Sequence, residues 1–320
     1  MTIIMNILEQ IPLLQFTNWR IGGPADYFVE VDSLHDLQEA LRFASDKKIP
    51  YVVLGGGTNV LVGDKGFRGL VIKNKMNTIS IIAYKGRLSN SSEEDRKNVY
   101  VKADTGVLVN RLVRYTLDQG LSGLENFLGQ PGTVGGAIYI NAHNMSQNDF
   151  FGSHVVEADI ISDNKVTTVP QSYFEFGYDV STLQKTKQLV VSVVVGFEQR
   201  LDEKEQIWKK AEAAMQHRHA TQPKGFPTAG CTFRNISAED AKRAKIPNNI
   251  QSAGFLIDAC GLKGKQIGNA KFSDEHANFI LNMGGATAQD VKQLIDLAKT
   301  NVKEKFGINL HEEVVLIGEF

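Results

Sequence analysis

Cysteine is scarce: Cys231 and Cys260 are the two thiols in a chain of 320 residues. Two thiols build no disulfide framework, which points to a reducing compartment, the cytoplasm. Charge of one sign is not in excess either. A formal net charge of −1 gives no hint of the basic face that a nucleic-acid binder presents, so nucleic acid is not an expected partner. No apolar run approaches the roughly 20 residues that cross a bilayer, and no membrane segment is expected. The start, "MTIIMNILEQIPLL", has no basic stretch and carries Glu9, a poor match to a secretion signal. Seven histidines and two cysteines show no metal-ligand spacing, so no metal is expected. Internal repeats are missing as well.

What is present is an ordinary globular composition, 42% hydrophobic and 22% charged, in a chain long enough for about two domains. Three regions emerge. In residues 1–80, "DYFVEV" (26–31) alternates as a strand, and Ser33 caps an amphipathic helix with Leu34, Leu37, Leu41 and Ala44 on one face. The strands "IPYVVLG" and "GLVIKN" follow. In residues 81–204, the polar run 89–98 reads as an exposed hairpin tip. Beyond it come the strand "VYVKAD", the helix "VLVNRLVRYTLDQG" and a glycine-rich stretch. The strands "VVEADIIS" and "KVTTVP", joined by Asp163-Asn164, precede "QLVVSVVVGFE". Residues 205–320 open in the charged helix "DEKEQIWKKAEAAMQHRHA", continue with the helices "QSAGFLIDACG" and "TAQDVKQLIDLAKTNVKEKFG", and close on the strand "EEVVLIGEF". Strands and helices do not alternate regularly, so the class is α+β rather than doubly wound.

Two glycine-rich stretches stand out. "LGGGTN" places Gly55, Gly56, Gly57, Thr58 and Asn59 between two apolar runs. No lysine follows as in a P-loop, and no helix follows as in a dinucleotide fingerprint. What remains is a turn between strands whose successive N–H groups can cradle an anion, with no side chain to hold a ligand away. A plain turn is the competing reading. "PGTVGGA" (131–137), with Gly132, Thr133, Gly135 and Gly136, is a second rigid-then-flexible stretch. Two such stretches suggest a dinucleotide clasped between two lobes.

The blocks "NWRIGGPADYFVEV", "LGGGTNVLVGDKGFRGLVI", "GLSGLENFLGQPGTVGGAIYINA", "AGCTFRN", "AGFLIDACGLKGKQIGNAKFSDEHANFILN" and "HEEVVLIGE" resemble, in order, those of the UDP-N-acetylenolpyruvoylglucosamine reductase family, in its shorter subtype. The resemblance implies a two-lobed FAD-binding domain of the vanillyl-alcohol-oxidase/PCMH type plus a C-terminal α+β substrate-binding domain. It implies FAD and NADPH as cofactors and UDP-N-acetylglucosamine enolpyruvate as substrate. It also implies a monomer in the bacterial cytoplasm that serves peptidoglycan precursor synthesis. The glycines would then let the backbone lie against the FAD pyrophosphate.

Site residues carry over position by position. Cys231, in "GCTFRN", stands where the family has a proton-donating serine; a thiol with an ordinary pKa of about 8.5 is a far stronger acid than an alkyl hydroxyl. A small packed residue is the plain alternative. Glu313 matches the family's catalytic glutamate, and Glu312 is the neighbour most easily confused with it. Arg218 matches an arginine near the flavin. Asn235 and Lys263 match groups on the nucleotide part of the substrate, against the readings of a turn amide and a surface cation. His276 reads as a loop-fixing hydrogen bonder rather than a base.

One departure is serious. The family's "F-x-Y-R-x-S" is "FGYDVS" here, with Asp179 in place of an arginine that pairs with the substrate carboxylate. A carboxylate would repel what the guanidinium attracts. Arg218 and Arg234 are the candidates to cover the role. "NAHNMS" (141–146) also departs from the family's "N-A-G-A-[YF]-G", which marks a divergent branch. Three readings follow: the reductase, a flavin-binding homologue with lost or altered catalysis, and a flavoprotein oxidase on the same fold.

Overall fold

The computed structural model describes residues 5–86, 97–186 and 188–320. They fold as two compact units, one built on Val29–Gly56 and Ile72–Ala220, the other on Ile7–Phe28, Gly57–Val71 and Thr221–Phe320. The chain passes between them inside the strands Pro24–Val31 and Phe67–Asn74, between Gly56 and Gly57, and at the end of the helix Lys204–Thr221.

The first unit is organised by an antiparallel sheet in the order Lys165–Pro170, Val155–Ser162, Leu189–Gln199, Lys97–Asp104, Ile79–Gly86. Alternation along Lys97–Asp104 turns Val99, Val101 and Ala103 into one core with Leu112, Val113 and Leu117 of the helix Val109–Asp118. Asp163 and Asn164 join two strands with φ of +48° and +63°. That left-handed pair is what a two-residue hairpin needs, and Asp and Asn tolerate it. The helix Leu34–Lys47 starts where expected, with Ser33 Oγ accepting from the Asp36 N–H at 3.1 Å. Its buried face is Leu37, Ala40 and Ala44. The expected hairpin tip at 89–98 lies mostly outside the described residues; its last two positions begin the strand Lys97–Asp104.

In the second unit, the strand Leu8–Pro12 pairs antiparallel with Pro24–Val31, Leu8 opposite Phe28. The helix Ala288–Phe306 opens on a capping box of Thr287 and Asp290 and ends at Gly307, φ +68°. Its Val291, Leu294, Ile295, Ala298 and Val302 pack with Leu256 and Ile257 of the helix Ala253–Ala259 and with Phe233 and Phe272. Trp19 is fully buried here, and its Nε1 donates to the Ile280 carbonyl at 2.8 Å. A three-stranded meander, Gln266–Ile267, Ala270–Phe272 and Ile280–Asn282, was not legible in the sequence pattern because its strands are two or three residues long.

Two expectations change. The stretch 131–137 is a loop only at its start; from Val134 it is the helix Val134–Ile140, capped by Thr133. The closing strand is Val315–Ile317, parallel to Val60–Val62, so Glu312 and Glu313 precede it. The chain changes partner there: the Glu313 N–H bonds to the Thr232 carbonyl, and the Val315 N–H to the Asn59 carbonyl. Among the described residues, no helix is long and apolar enough to cross a membrane.

Candidate active site

The first glycine stretch begins where the strand Tyr51–Leu54 ends. A β-carbon on Gly55 would collide with Thr133 Oγ1, so bare backbone is required for the two stretches to meet in the first unit. Lys73 Nζ donates to the Gly55 carbonyl, and burial pushes its ammonium below the usual lysine range. Sequence reading passed over Lys73, since a lysine inside an apolar strand carries no motif. Gly57, at φ +67°, has no room for a side chain beside the Phe16 carbonyl. Among the described residues, no atom of the chain accepts from the N–H groups of Gly56 or Thr58.

The second stretch differs. The Val134 N–H donates to the Val107 carbonyl at 2.8 Å, Gly135 to Thr105 at 2.9 Å, and Gly136 to its own cap, Thr133 Oγ1, at 3.4 Å. The start of this helix is thus satisfied within the chain. Gly135 is glycine because Thr105 leaves no space, its Cβ lying 2.9 Å from where a side chain would start. Gly136 is different, since a Cβ there would meet only Thr133 Oγ1, at 3.8 Å. Gly132 takes φ +100°, a conformation favouring glycine. Arg218, in the last turn of Lys204–Thr221, donates to Gln130 Oε1, immediately before Pro131.

In the second unit, Cys231 pairs with Phe279 in an isolated β-bridge, and the next residues are held by Asn278. The Thr232 N–H donates to the Asn278 carbonyl at 2.7 Å, the Phe233 N–H to Asn278 Oδ1 at 2.9 Å, and Asn278 Nδ2 to the Phe233 carbonyl at 2.8 Å. On the other side, the Glu313 N–H donates to the Thr232 carbonyl at 2.9 Å. The backbones of the segments that carry Cys231 and Glu313, 82 positions apart by number (313 − 231), therefore run side by side. Glu312 is engaged elsewhere, its Oε1 accepting from Lys299 Nζ at 2.8 Å.

The same chain matches two family models, an FAD binding domain over residues 25–165 and the UDP-N-acetylenolpyruvoylglucosamine reductase C-terminal domain over 222–317. The reductase of Chlamydia trachomatis serovar L2 is 34% identical over 98% of this chain and 96% of its own. That of Heliobacterium modesticaldum is 37% identical over 98% and 91%. The crystal structure of the Thermus caldophilus reductase superposes with a TM-score of 0.75 at 30% identity, covering 98% of this chain and all of that one. The chain belongs to the UDP-N-acetylenolpyruvoylglucosamine reductase family.

The other reductase-family positions are each engaged within the chain. Asn235 Oδ1 accepts from the Ala253 N–H at 3.1 Å, at the first turn of Ala253–Ala259. Lys263 Nζ lies 3.6 Å from the Asp258 carboxylate, a loose, exposed pair. His276 Nδ1 accepts from the Asn278 N–H at 3.3 Å, and burial pushes its pKa below the usual imidazole value. A neutral ring that accepts there suits the loop-fixing reading.

Asp179, where the family expects arginine, is buried at 1% exposure with φ +53°. It does not turn to solvent. It faces His143, whose Nδ1 lies 3.2 Å from Asp179 Oδ1. The contact is a close approach off the line of a hydrogen bond, since neither Asp179 carboxyl oxygen nor His143 Nδ1 has a hydrogen-bond partner. The sequence signal for this meeting was present: "NAHNMS" and "FGYDVS" both depart from the family pattern.

Proposed function

We propose that the protein reduces the enolpyruvyl group of UDP-N-acetylglucosamine enolpyruvate to UDP-N-acetylmuramate, with FAD as cofactor and NADPH as reductant, as a monomer in the bacterial cytoplasm. The observation that supports this reading is the hydrogen bond from the Glu313 N–H to the Thr232 carbonyl, which joins the segment that carries Glu313 to the one that carries Cys231. The residues fit FAD. Within the first unit, the N–H of Gly56, which no described atom accepts from, and the open side of Gly136 suit a pyrophosphate, which accepts hydrogen bonds and needs close backbone approach. Gly55, Gly57, Asn59, Gly132 and Thr133 shape the same stretches, while Gly135 packs on Thr105. Arg218, held by Gln130, adds positive charge beside the second stretch.

When bound, FAD would supply the hydride transfer that links NADPH to the enolpyruvyl double bond. The chain has two further roles. It must balance negative charge that spreads onto the substrate carboxylate, and it must protonate the neighbouring carbon. The Cys231 Sγ–H gives that proton, and Glu313 is the second proton-carrying group there. Lys263 meets the diphosphate of the nucleotide half as a point charge, and Asn235 orients that half.

The test is anaerobic stopped-flow kinetics on protein whose flavin is identified by acid extraction. FAD should be released, and the enolpyruvyl sugar should reoxidise the reduced enzyme. Cys231→Ala should slow that reoxidation by roughly 10²–10⁴-fold while NADPH still reduces the flavin. A colourless protein that cannot take up FAD defeats the reading.

A further inference from the structure

We propose that Lys73 is a positioning residue for the FAD diphosphate: it takes the Gly55 carbonyl and thereby aims the Gly56 N–H at the anion. The inference rests on the reading of this stretch as a pyrophosphate cradle. Lys73, Gly55 and Gly56 all belong to the first unit. Lys73 Nζ donates to the Gly55 carbonyl, and that carbonyl shares one peptide group with the Gly56 N–H. No peptide bond among the described residues is cis, so the C=O and the N–H of that group point opposite ways. Fixing the carbonyl on Lys73 fixes the N–H on the far side. Among the described residues, no atom of the chain accepts from it.

A lysine is a costly choice at this position. It follows the buried Leu70, Val71 and Ile72 in the strand Phe67–Asn74. Burial works against its ammonium, Lys75 adds to the burial, and Glu30 works the other way. Glu30 does not take Lys73 as its partner, since its Oε2 accepts from Lys75 Nζ at 2.9 Å. The half-buried ammonium is thus spent on a backbone carbonyl. Hydrogen bonds in a chain polarise one another, so a carbonyl that accepts from an ammonium makes the N–H of its peptide group a stronger donor. That gain is realised when an anion accepts from Gly56.

The next residue, Asn74, points to the other face of the strand and reaches the second glycine stretch. Its Nδ2 donates to Thr105 Oγ1 at 2.9 Å, and the Thr105 carbonyl accepts from the Gly135 N–H at 2.9 Å. The two stretches also meet directly, because Thr133 Oγ1 stands where a β-carbon on Gly55 would fall. The end of one strand therefore holds both stretches, Lys73 the first and Asn74 the second. Their outcomes differ. The N–H groups of Val134 and Gly135 are used up within the chain, whereas the Lys73 contact leaves the Gly56 N–H to spare.

The test compares wild type, Lys73→Met, which keeps the stem without the donor, and Lys73→Arg, which keeps a charged donor. Flavin is stripped from each, and the apoproteins are titrated with FAD. Lys73→Met should weaken FAD binding by roughly 10–100-fold, the span expected for a hydrogen bond to a charged group. Lys73→Arg should recover a large part of that loss. Nitrogen-15 NMR of glycine-labelled protein reads what a merely structural lysine would not move. On saturation with FAD, the Gly56 amide proton should shift downfield in wild type and Lys73→Arg, and much less in Lys73→Met. A wild-type Gly56 amide that FAD leaves in place overturns this inference alone, as does Lys73→Met binding FAD as wild type does. A loss of affinity that Lys73→Arg does not recover, with the Gly56 shift intact in Lys73→Met, assigns Lys73 to packing and overturns it too. Should Lys73→Met fail to fold, the Gly56 signals of wild type and Lys73→Arg decide. Wild-type apoprotein that takes up no FAD overturns both the inference and the cofactor reading.

Discussion

Asn59 donates through Nδ2 to the Glu313 carbonyl at 3.1 Å, and its own carbonyl accepts from the Val315 N–H at 3.0 Å. The last residue of the first glycine stretch is therefore stitched to the segment that carries Glu313, inside the second unit. Asn59→Ala removes the side-chain half of this stitch. It should cost about 1 kcal/mol, a drop of a few degrees in melting temperature. Reoxidation by the enolpyruvyl sugar should slow more than reduction by NADPH, because the Glu313 carbonyl loses one of the bonds that hold its segment. Equal slowing of both half-reactions in stopped flow would show that Asn59 serves the cofactor alone.

Gly55→Ala should weaken FAD retention, since the new methyl collides with Thr133 Oγ1. Deleting the hydroxyl gives a direct check. The Thr133 Cβ lies 3.5 Å from the same point, an ordinary contact, so Gly55→Ala/Thr133→Ala should regain FAD relative to Gly55→Ala. Recovery should be partial, because Thr133 also caps Val134–Ile140; such a cap is worth about 1 kcal/mol. Flavin-to-protein ratio after gel filtration reads both effects. A double variant that retains no more FAD than Gly55→Ala would disprove the collision.

Asn278 holds the Cys231 segment by three hydrogen bonds while 2% exposed. Asn278→Ala would strand the N–H and carbonyl of Phe233, itself fully buried. At about 1–3 kcal/mol for each stranded group, a large loss of stability is expected. Cys231 should also react faster with a soluble disulfide reagent as its segment loosens. Unchanged thiol reactivity at matched stability would mean that the Asn278 side chain does not help to place Cys231.

His276 sets a pH limit. Burial lowers its folded pKa beneath the ordinary 6.5, so between the two values the unfolded chain binds the extra proton. Its contribution to stability is present above pH 6.5 and is lost as the pH falls through the folded value. Melting temperature should decline more steeply on acidification below pH 6.5 in wild type than in His276→Gln, which keeps an acceptor without a titrating ring. Parallel slopes would show that the ring is not desolvated in the fold.

Local elements with strong periodicity or turn chemistry were legible in the order of residues alone. Ser33, Asp163-Asn164 and the long helix after Thr287 are settled by a cap, a left-handed turn and a 3.6-residue pattern, all interactions within a few residues. The family was legible too, because six ordered blocks survive divergence. Contacts between distant segments settled the rest. How the helix after Thr133 begins depends on Thr105 and Val107 accepting the N–H groups of Gly135 and Val134 from about 30 positions away, roughly as many residues as a whole strand-helix unit takes. How Glu312 and Glu313 are engaged depends on Lys299 pairing with the first and the Thr232 carbonyl binding the N–H of the second. The surroundings of Asp179 are decided by His143, a neighbour no periodicity could name, because what a buried polar side chain meets is set by distant segments of the fold.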